Sequence, residues 1–391
     1  MNTRRSFQLN FTSCFRNVRR SMVWAMVCLA LCLLGLGVSA HAQWPRIISF
    51  DAPGAAGTIP MDINDPGAIT GYFWDATGLV HGFLRAPDGT ITTFDDPYAG
   101  TGNGEGTLAT QINAEGAIVG WYQDASEVEH GFLRAPDGTF TTIDAPGAGT
   151  SGAVGTPYEG YEGTYDGAIN GTGWTAGFYV DASIVWHSFL RAPNGKITEF
   201  SVRRAGDAAG LGSWPNGINA ARVISGGYTD TSSVVHGYVR ATDGVITEFD
   251  VRGAGTGPGQ GTTTSNINSE GAITGAYQDA EGVNHGFLRA PEGTITTFDA
   301  PGAGNESGQG TFGVTINNEG WIVGSYVDTG GVSHGLLRAP DGKFTTFDAP
   351  GAGNESGQGT AAQWINTSGA ITGYYADTNG VYHGFLRLPA P

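Results

Sequence analysis

Cysteine is absent from most of this chain. Its three cysteines, Cys14, Cys28 and Cys32, all lie near the N-terminus, so residues 43–391 can form no disulfide and offer no thiol nucleophile. Positive charge is scarce as well. Five of the 19 basic residues precede residue 43 and none of the 36 acidic ones does, which leaves 14 against 36 and a formal charge of −22 on the remainder. Such a surface repels nucleic acid and anionic lipid, while neutral glycans, cations and basic partners stay compatible with it. Helical periodicity is missing too: no stretch past residue 42 places apolar residues at helical spacing for three turns.

What the chain does have is glycine, 65 of 391 residues, as a succession of tight turns requires. It also has a repeat. The motif His-Gly-Phe-Leu-Arg and its variants recur at His81, His130, His187, His236, His285, His334 and His383, with gaps of 49, 57, 49, 49, 49 and 49 residues. A period near 50 marks a propeller or a solenoid, in which each repeat is one supersecondary unit stacked on its neighbours. Three turn signals divide each repeat: Asn-x-x-Gly (Asn268–Gly271), Asp-x-x-Gly (Asp377–Gly380) and Pro-Asp-Gly (Pro87–Gly89). Runs rich in β-branched and aromatic residues separate them, such as 272–277 and 294–298. Four short antiparallel strands per repeat make a propeller blade.

The last repeat stops at Arg387-Leu388-Pro389 without a fourth strand, and the segment Arg46–Gly54 matches the fourth strand found elsewhere, as in Lys343–Gly351. The expected fold is therefore an all-β, seven-bladed β-propeller spanning residues 43–391. Its ring would be closed by the N-terminal strand completing the last blade, which removes an exposed edge. Residues 1–42 read as a secretory signal peptide: a basic region (Arg4, Arg5, Arg16, Arg19, Arg20), an uncharged apolar run (Met22–Val38) and an Ala40-His41-Ala42 cleavage site before Gln43. An uncleaved anchor is the alternative, and Thr3-Arg4-Arg5-Ser6-Phe7 also resembles a twin-arginine signal, so the export route stays open. The expected location is secreted or periplasmic, with no stable membrane insertion after cleavage.

The runs His81–Arg85, Ile316-Asn317 and Phe298–Gly302 resemble the bacterial family described as probable extracellular repeat, HAF family, with Gly where the namesake motif has Ala. The likeness covers nearly all of residues 43–391. It implies an exported repeat protein and brings no activity or catalytic residues with it.

Each repeat also carries Asp six residues before its histidine. Counting through the Pro-Asp-Gly hairpin sets His81 opposite Asp95, His130 opposite Asp144, His236 opposite Asp250, His285 opposite Asp299, His334 opposite Asp348 and His383 opposite Asp51. His187 faces Ser201 instead. A His–Asp pair suits a catalytic dyad, but a group present in every blade reads as a cross-strand hydrogen bond that fixes register. The recurring arginines, Arg85 to Arg387, are expected to bond carboxylates or carbonyls of their own or the adjacent blade, with an anion-binding ring as the alternative. Gly-rich connectors such as Gly253–Gly261 read as blade-to-blade crossovers. Gly147–Gly152 fits G-x-G-x-x-G, but no helix follows it. A cation held near Glu306 or Glu355 stays open.

Function is expected where the repeat breaks. The connector before the third blade is longer than the others and brings Tyr158, Glu159, Tyr161, Glu162, Tyr165 and Asp166; the next has Ser201-Val202-Arg203-Arg204 and Trp214. Tyr158, Tyr161, Tyr165, Arg203, Arg204 and Trp214 are thus the candidate ligand-binding residues, expected on one rim, where rings beside charged groups suit sugar stacking or peptide recognition. A drifted loop is the plain alternative. The second candidate is the channel, lined by the residue before each Ile-Asn: Asp62, Gln111, Asn266, Thr315 and Trp364, with Ala168 and Gly217 in the third and fourth repeats.

No catalytic residue, metal ligand or cofactor is expected. The leading reading is an exported, non-catalytic binding or scaffold propeller recognising an extracellular carbohydrate, peptide or protein. The alternative is a propeller enzyme of glycosidase or lyase type, using non-repeated carboxylates among Asp62, Glu105, Glu159, Glu162 and Asp166. A purely structural envelope role is the third possibility.

Overall fold

The computed structural model describes residues 46–151 and 162–389, and these contain 28 strands and no helix. After β1 (Ile47–Phe50), the strands form repeated units that begin with β2 (Gly57–Ile63), β3 (Ile69–Trp74), β4 (Val80–Arg85) and β5 (Ile91–Phe94). The first strands of the later units are β6 (Gly106–Ile112), β10 (Gly163–Ile169), β14 (Gly212–Ile218), β18 (Gly261–Ile267), β22 (Gly310–Ile316) and β26 (Gly359–Ile365). The count fits seven blades of four strands. The seventh unit ends at β28 (Tyr382–Arg387), and β1 pairs with it antiparallel, Ile47 opposite Arg387 and Phe50 opposite Gly384.

Local chemistry explains each turn. In the first, the Gly67 N–H donates to the Asn64 carbonyl, and Asn64 Oδ1 accepts the Ala68 N–H at 2.8 Å. Gly67 takes φ 92°, a left-handed conformation that glycine reaches without strain. In the second, Asp75 Oδ1 accepts the N–H groups of Thr77 and Leu79. Pro87-Asp88-Gly89 forms the third as a three-residue hairpin loop, with Ala86 bonded to Thr90 and Gly89 at φ 95°. Every first strand also bulges two residues before its terminal isoleucine, as between Pro60 and Asp62, which turns the following side chain toward the next unit.

The asparagine of the first turn is also the joint between units. Asn64 Nδ2 donates to the Asn113 carbonyl, Asn113 to Asn170, Asn170 to Asn219, Asn219 to Asn268, Asn268 to Asn317, Asn317 to Asn366, and Asn366 to Asn64, at 3.0–3.4 Å. All seven are buried. The first strands touch one another in the same order, β26 meeting β2.

Apolar packing between units centres on the third strands, where Phe83, Phe132, Phe189, Phe287 and Phe385 are completely buried. The expected histidine pairs form in all six places: Nδ1 lies 2.7–3.0 Å from Asp95, Asp144, Asp250, Asp299, Asp348 and Asp51. Apart from the buried His236, they sit near the surface, however. His285 is 22% exposed and its Asp299 partner 58%. The arginines meet the expectation only in part: Arg85 and Arg289 donate to the carbonyls of Ala86 and Ala290 in their own units, and their main contact is another. Arg85, Arg134, Arg240, Arg289, Arg338 and Arg387 lie over Phe50, Phe94, Phe200, Phe249, Phe298 and Phe347, the last aromatic of the preceding unit, at 4.6–5.0 Å. Cation–π stacking between units replaces the carboxylate pairing, because a planar guanidinium is more weakly hydrated than an ammonium and packs flat on a ring.

Asn268→Ala should lower the unfolding free energy by about 1–3 kcal/mol, the cost of stranding buried backbone groups at the turn and in the next unit. His285→Ala should cost no more than about 1 kcal/mol, since its ion pair is screened. Denaturant unfolding of the two variants checks the order.

Candidate functional site

A cavity of about 350 Å³ opens where the first strands end in their asparagine turns, and all seven units contribute to its wall. Asp62, Gln111, Asn266, Thr315 and Trp364 all line it. Asp62 Oδ2 accepts the Ile112 N–H of the next unit at 2.9 Å, and Gln111 Oε1 accepts the Ile169 N–H at 3.0 Å. The Thr315 hydroxyl donates to the Gln363 carbonyl. Trp364 is half-buried against the apolar cluster that contains Phe83. Asp62 is 4% exposed, and burial pushes its carboxyl up to about 8 against the lowering effect of the Ile112 N–H. Its Oδ1 has no hydrogen-bond partner.

Of the six candidates from the irregular connectors, the four described ones fall in two settings. Tyr158 and Tyr161 lie outside the described residues. Arg203 and Arg204 are exposed in the connector before β14, where Arg204 stands 3.9 Å from Glu248 and Arg203 lines a shallow groove with Ser201 and Ile246. Tyr165 and Trp214 belong instead to β10 and β14, as the third residue of each. The connectors end earlier than expected, because Gly163 (φ 132°) and Gly212 (φ 137°) start those strands. A Cβ on either glycine would come within about 2.1 Å of the preceding unit's backbone. The Gly-Thr and Gly-Ser dipeptides at these points are the sequence signal for where the strands begin.

Within the strands, Tyr165 and Trp214 join a ladder of half-buried rings across the second to fourth units. Trp121 meets Tyr165 edge-on at 5.4 Å, Tyr165 stacks on Phe178 at 4.7 Å and 7°, Phe178 stacks on Trp186 at 5.5 Å, and Trp186 meets Trp214 edge-on at 5.4 Å. The same units hold the non-glycine residues with left-handed backbone: Glu127, Ile184, Arg222 and Ser233. For the β-branched Ile184 this conformation is strained, and strain of this kind clusters at functional sites.

The acids proposed for an enzyme do not converge. Glu105 and Glu162 accept the Gly102 and Ser151 N–H groups at the connector position where Gln260, Gln309 and Gln358 do the same, so they are repeat positions after all. Asp166 is completely enclosed between units, Glu159 lies outside the described residues, and Asp62 alone of the set lines the cavity. The sequence reading missed Glu129, 6% exposed on the third strand of the second unit, where other units carry Val, Trp, Asn, Ser or Tyr. That departure from pattern was its available signal.

Burial pushes both Glu129 and Asp166 up to about 7. A carboxyl that holds its proton to about 7 when folded, against 3.8 when free, stabilises the fold fully only in acid. That contribution is lost as pH rises through this window. The stability of Asp166→Asn should therefore decline less than that of the native protein between about pH 5 and 8, measured as urea midpoints.

No family model matches this sequence, and no curated protein is similar to it. Solved structures are. Puromycin hydrolase is 14% identical with a TM-score of 0.51, over 86% of this chain and 54% of that one. The BP39L lectin from Burkholderia pseudomallei is 10% identical with a TM-score of 0.50, over 89% of this chain and 100% of that one. The β-propeller domain of the Trilobed protease from Pyrococcus furiosus is 9% identical with a TM-score of 0.45, over 85% and 95%. The chain thus spans about half the length of the puromycin hydrolase. At such identities the likeness is one of fold, and the repeated four-stranded units make that fold a β-propeller.

Proposed function

We propose that this chain is an exported, non-catalytic propeller of the HAF-repeat kind that binds an extracellular glycan, built as a closed ring of seven blades. The aromatic ladder from Trp121 to Trp214 carries the glycan reading. Its half-buried rings leave a continuous strip of aromatic surface on which the C–H face of a sugar can pack, at low entropic cost because each ring has two rotatable bonds. The lectin among the structures of similar fold supports this, and the acidic charge disfavours nucleic acid and anionic lipid as partners. The described carboxylates supply no convergent pair for glycosidic chemistry. Closure is supported by the pairing of β1 with β28 and by the Asn366–Asn64 hydrogen bond.

A glycan array followed by calorimetry tests the binding role. Trp214→Leu, which keeps an apolar contact with Trp186, should weaken binding about tenfold, roughly 1.4 kcal/mol. Phe312→Leu, at the same place in the sixth unit, should leave binding unchanged. Equal effects from the two would move the site away from the ladder. Deleting residues 46–53 tests closure separately: the bare edge of β28 should cause aggregation or a large fall in melting temperature. A truncated chain that melts like the intact one would exclude the closed ring.

A further inference from the structure

We propose that the cavity at the asparagine-turn end of the first strands is a binding site for a small carboxylate of sugar-acid type, held by the backbone N–H groups of Ile218 and Ile267. The site is separate from the aromatic ladder, and the proposal does not rest on what the ladder binds.

The donors follow from strand geometry. In each unit the turn asparagine donates its N–H to the carbonyl four residues on, as Asn219 does to Val223 and Asn268 to Ala272. Bonded and non-bonded pairs alternate in an antiparallel ladder, so the neighbouring pair is of the non-bonded kind. That pair is Ile218 with Ile224 in the fourth unit and Ile267 with Ile273 in the fifth. The N–H of the first isoleucine then points away from the second strand, toward the preceding unit. Two units confirm this direction. Ile112 donates to the Asp62 carboxylate and Ile169 to the Gln111 side chain, each acceptor standing just before the terminal isoleucine of the previous first strand.

In the next two units the side-chain acceptor is missing, as it is at Trp364, which stands in the same relation to Ile63. The residue placed to meet Ile218 is Ala168, and the one placed to meet Ile267 is Gly217; neither has a side-chain oxygen. A Cβ on Gly217 would lie 3.2 Å from Ile267 N, so this position does face that N–H. Both isoleucines line the cavity. Its volume of about 350 Å³ lies within the range of small-molecule sites.

A carboxyl oxygen already meets this N–H once in the molecule, at Asp62, and an external carboxylate reaching in from the cavity would take the same acceptor role toward Ile218 and Ile267. Asp62 shares the cavity with its Oδ1 buried and unpartnered. Since its carboxyl keeps the proton up to about pH 8, near neutrality it adds a donor and not a repelling charge, while Asp65, the other acid in the wall, accepts the Thr367 N–H and hydroxyl. Trp364, half-buried in the same wall, offers a flat face to a sugar ring.

Calorimetry with glucuronate, acetate and glucose tests the site. Glucuronate should bind, acetate more weakly, and glucose at least tenfold more weakly than glucuronate. Ala168→Gln places at Ile218 the acceptor that Gln111 provides at Ile169, and should weaken glucuronate at least tenfold while the melting temperature holds or rises. Binding should fall above pH 8 as Asp62 ionises, and Asp62→Asn should abolish that fall. Should Ala168→Gln fold poorly, selective 15N-isoleucine spectra of the native protein decide: titrated glucuronate must shift the Ile218 and Ile267 amide signals. Absence of glucuronate binding, glucose binding equal to glucuronate, or amide shifts confined to other isoleucines would each overturn the proposal. Loss of glycan binding in Trp214→Leu with glucuronate binding intact would show that the two sites are independent.

Discussion

The asparagine amide is the interaction on which the other features depend, because it fixes two scales of structure at once. Its oxygen accepts the N–H four residues ahead and shapes the first turn; its nitrogen reaches the carbonyl of the equivalent asparagine in the next unit. No other side chain does both. Aspartate lacks the donor, and glutamine is one methylene too long for the local turn. With the turn set, the last residues of the first strand are held in register with the second, the isoleucine before the asparagine falls at a non-bonded pair, and its N–H faces the neighbouring unit. The inner wall of the molecule is thus organised by main-chain geometry before any channel side chain is chosen.

Farther out, the units adhere through the arginine of one and the last aromatic of the one before. The third unit is the exception, and it shows how tightly these positions are linked. The second unit ends in Ile143, so Arg191 lacks the ring that the other arginines find at this place. The third unit then carries Asp166 in β10 and Thr175 where other units have Ile, both fully buried, and the Arg191 charge offsets part of the rise that burial imposes on Asp166. Arg191 thus has a carboxyl in its neighbourhood where other units offer a ring, although burial keeps that carboxyl protonated up to about 7.

Much of this was legible in the sequence, for a physical reason. Turns, strand lengths and the His–Asp register are set by contacts within about 20 residues, and seven copies averaged out the drift in any one. The half-repeat offset likewise anticipated the partnership of β1 with β28. What failed was cross-unit. The aromatic partners of the arginines lie in a preceding repeat, which counting within one repeat does not reach. Tyr165 and Trp214 were assigned to connectors because their repeats are irregular just upstream, although the glycine before each marks where the strand resumes. Glu105 and Glu162 looked unique only because their counterparts are glutamines with the same acceptor oxygen.

The cavity was read from its side chains alone; those residues do line it, but the reading missed the groups that distinguish one from another. Asp62 and Gln111 are notable less for their polarity than for satisfying a backbone donor that recurs in every unit. Once that donor is recognised, Ala168 and Gly217 change meaning: small residues that looked like neutral lining become places where an acceptor has been omitted. In a repeat protein every unit inherits the same main-chain groups, so a site is made as readily by deleting a side chain that covers them as by adding one. The deletions here fall in the third and fourth units, within the sector that also holds most of the aromatic ladder and the left-handed Ile184, Arg222 and Ser233. Departures of three different kinds thus fall in one sector, while Trp364 of the seventh unit shows that the lack of an acceptor alone is not confined to it.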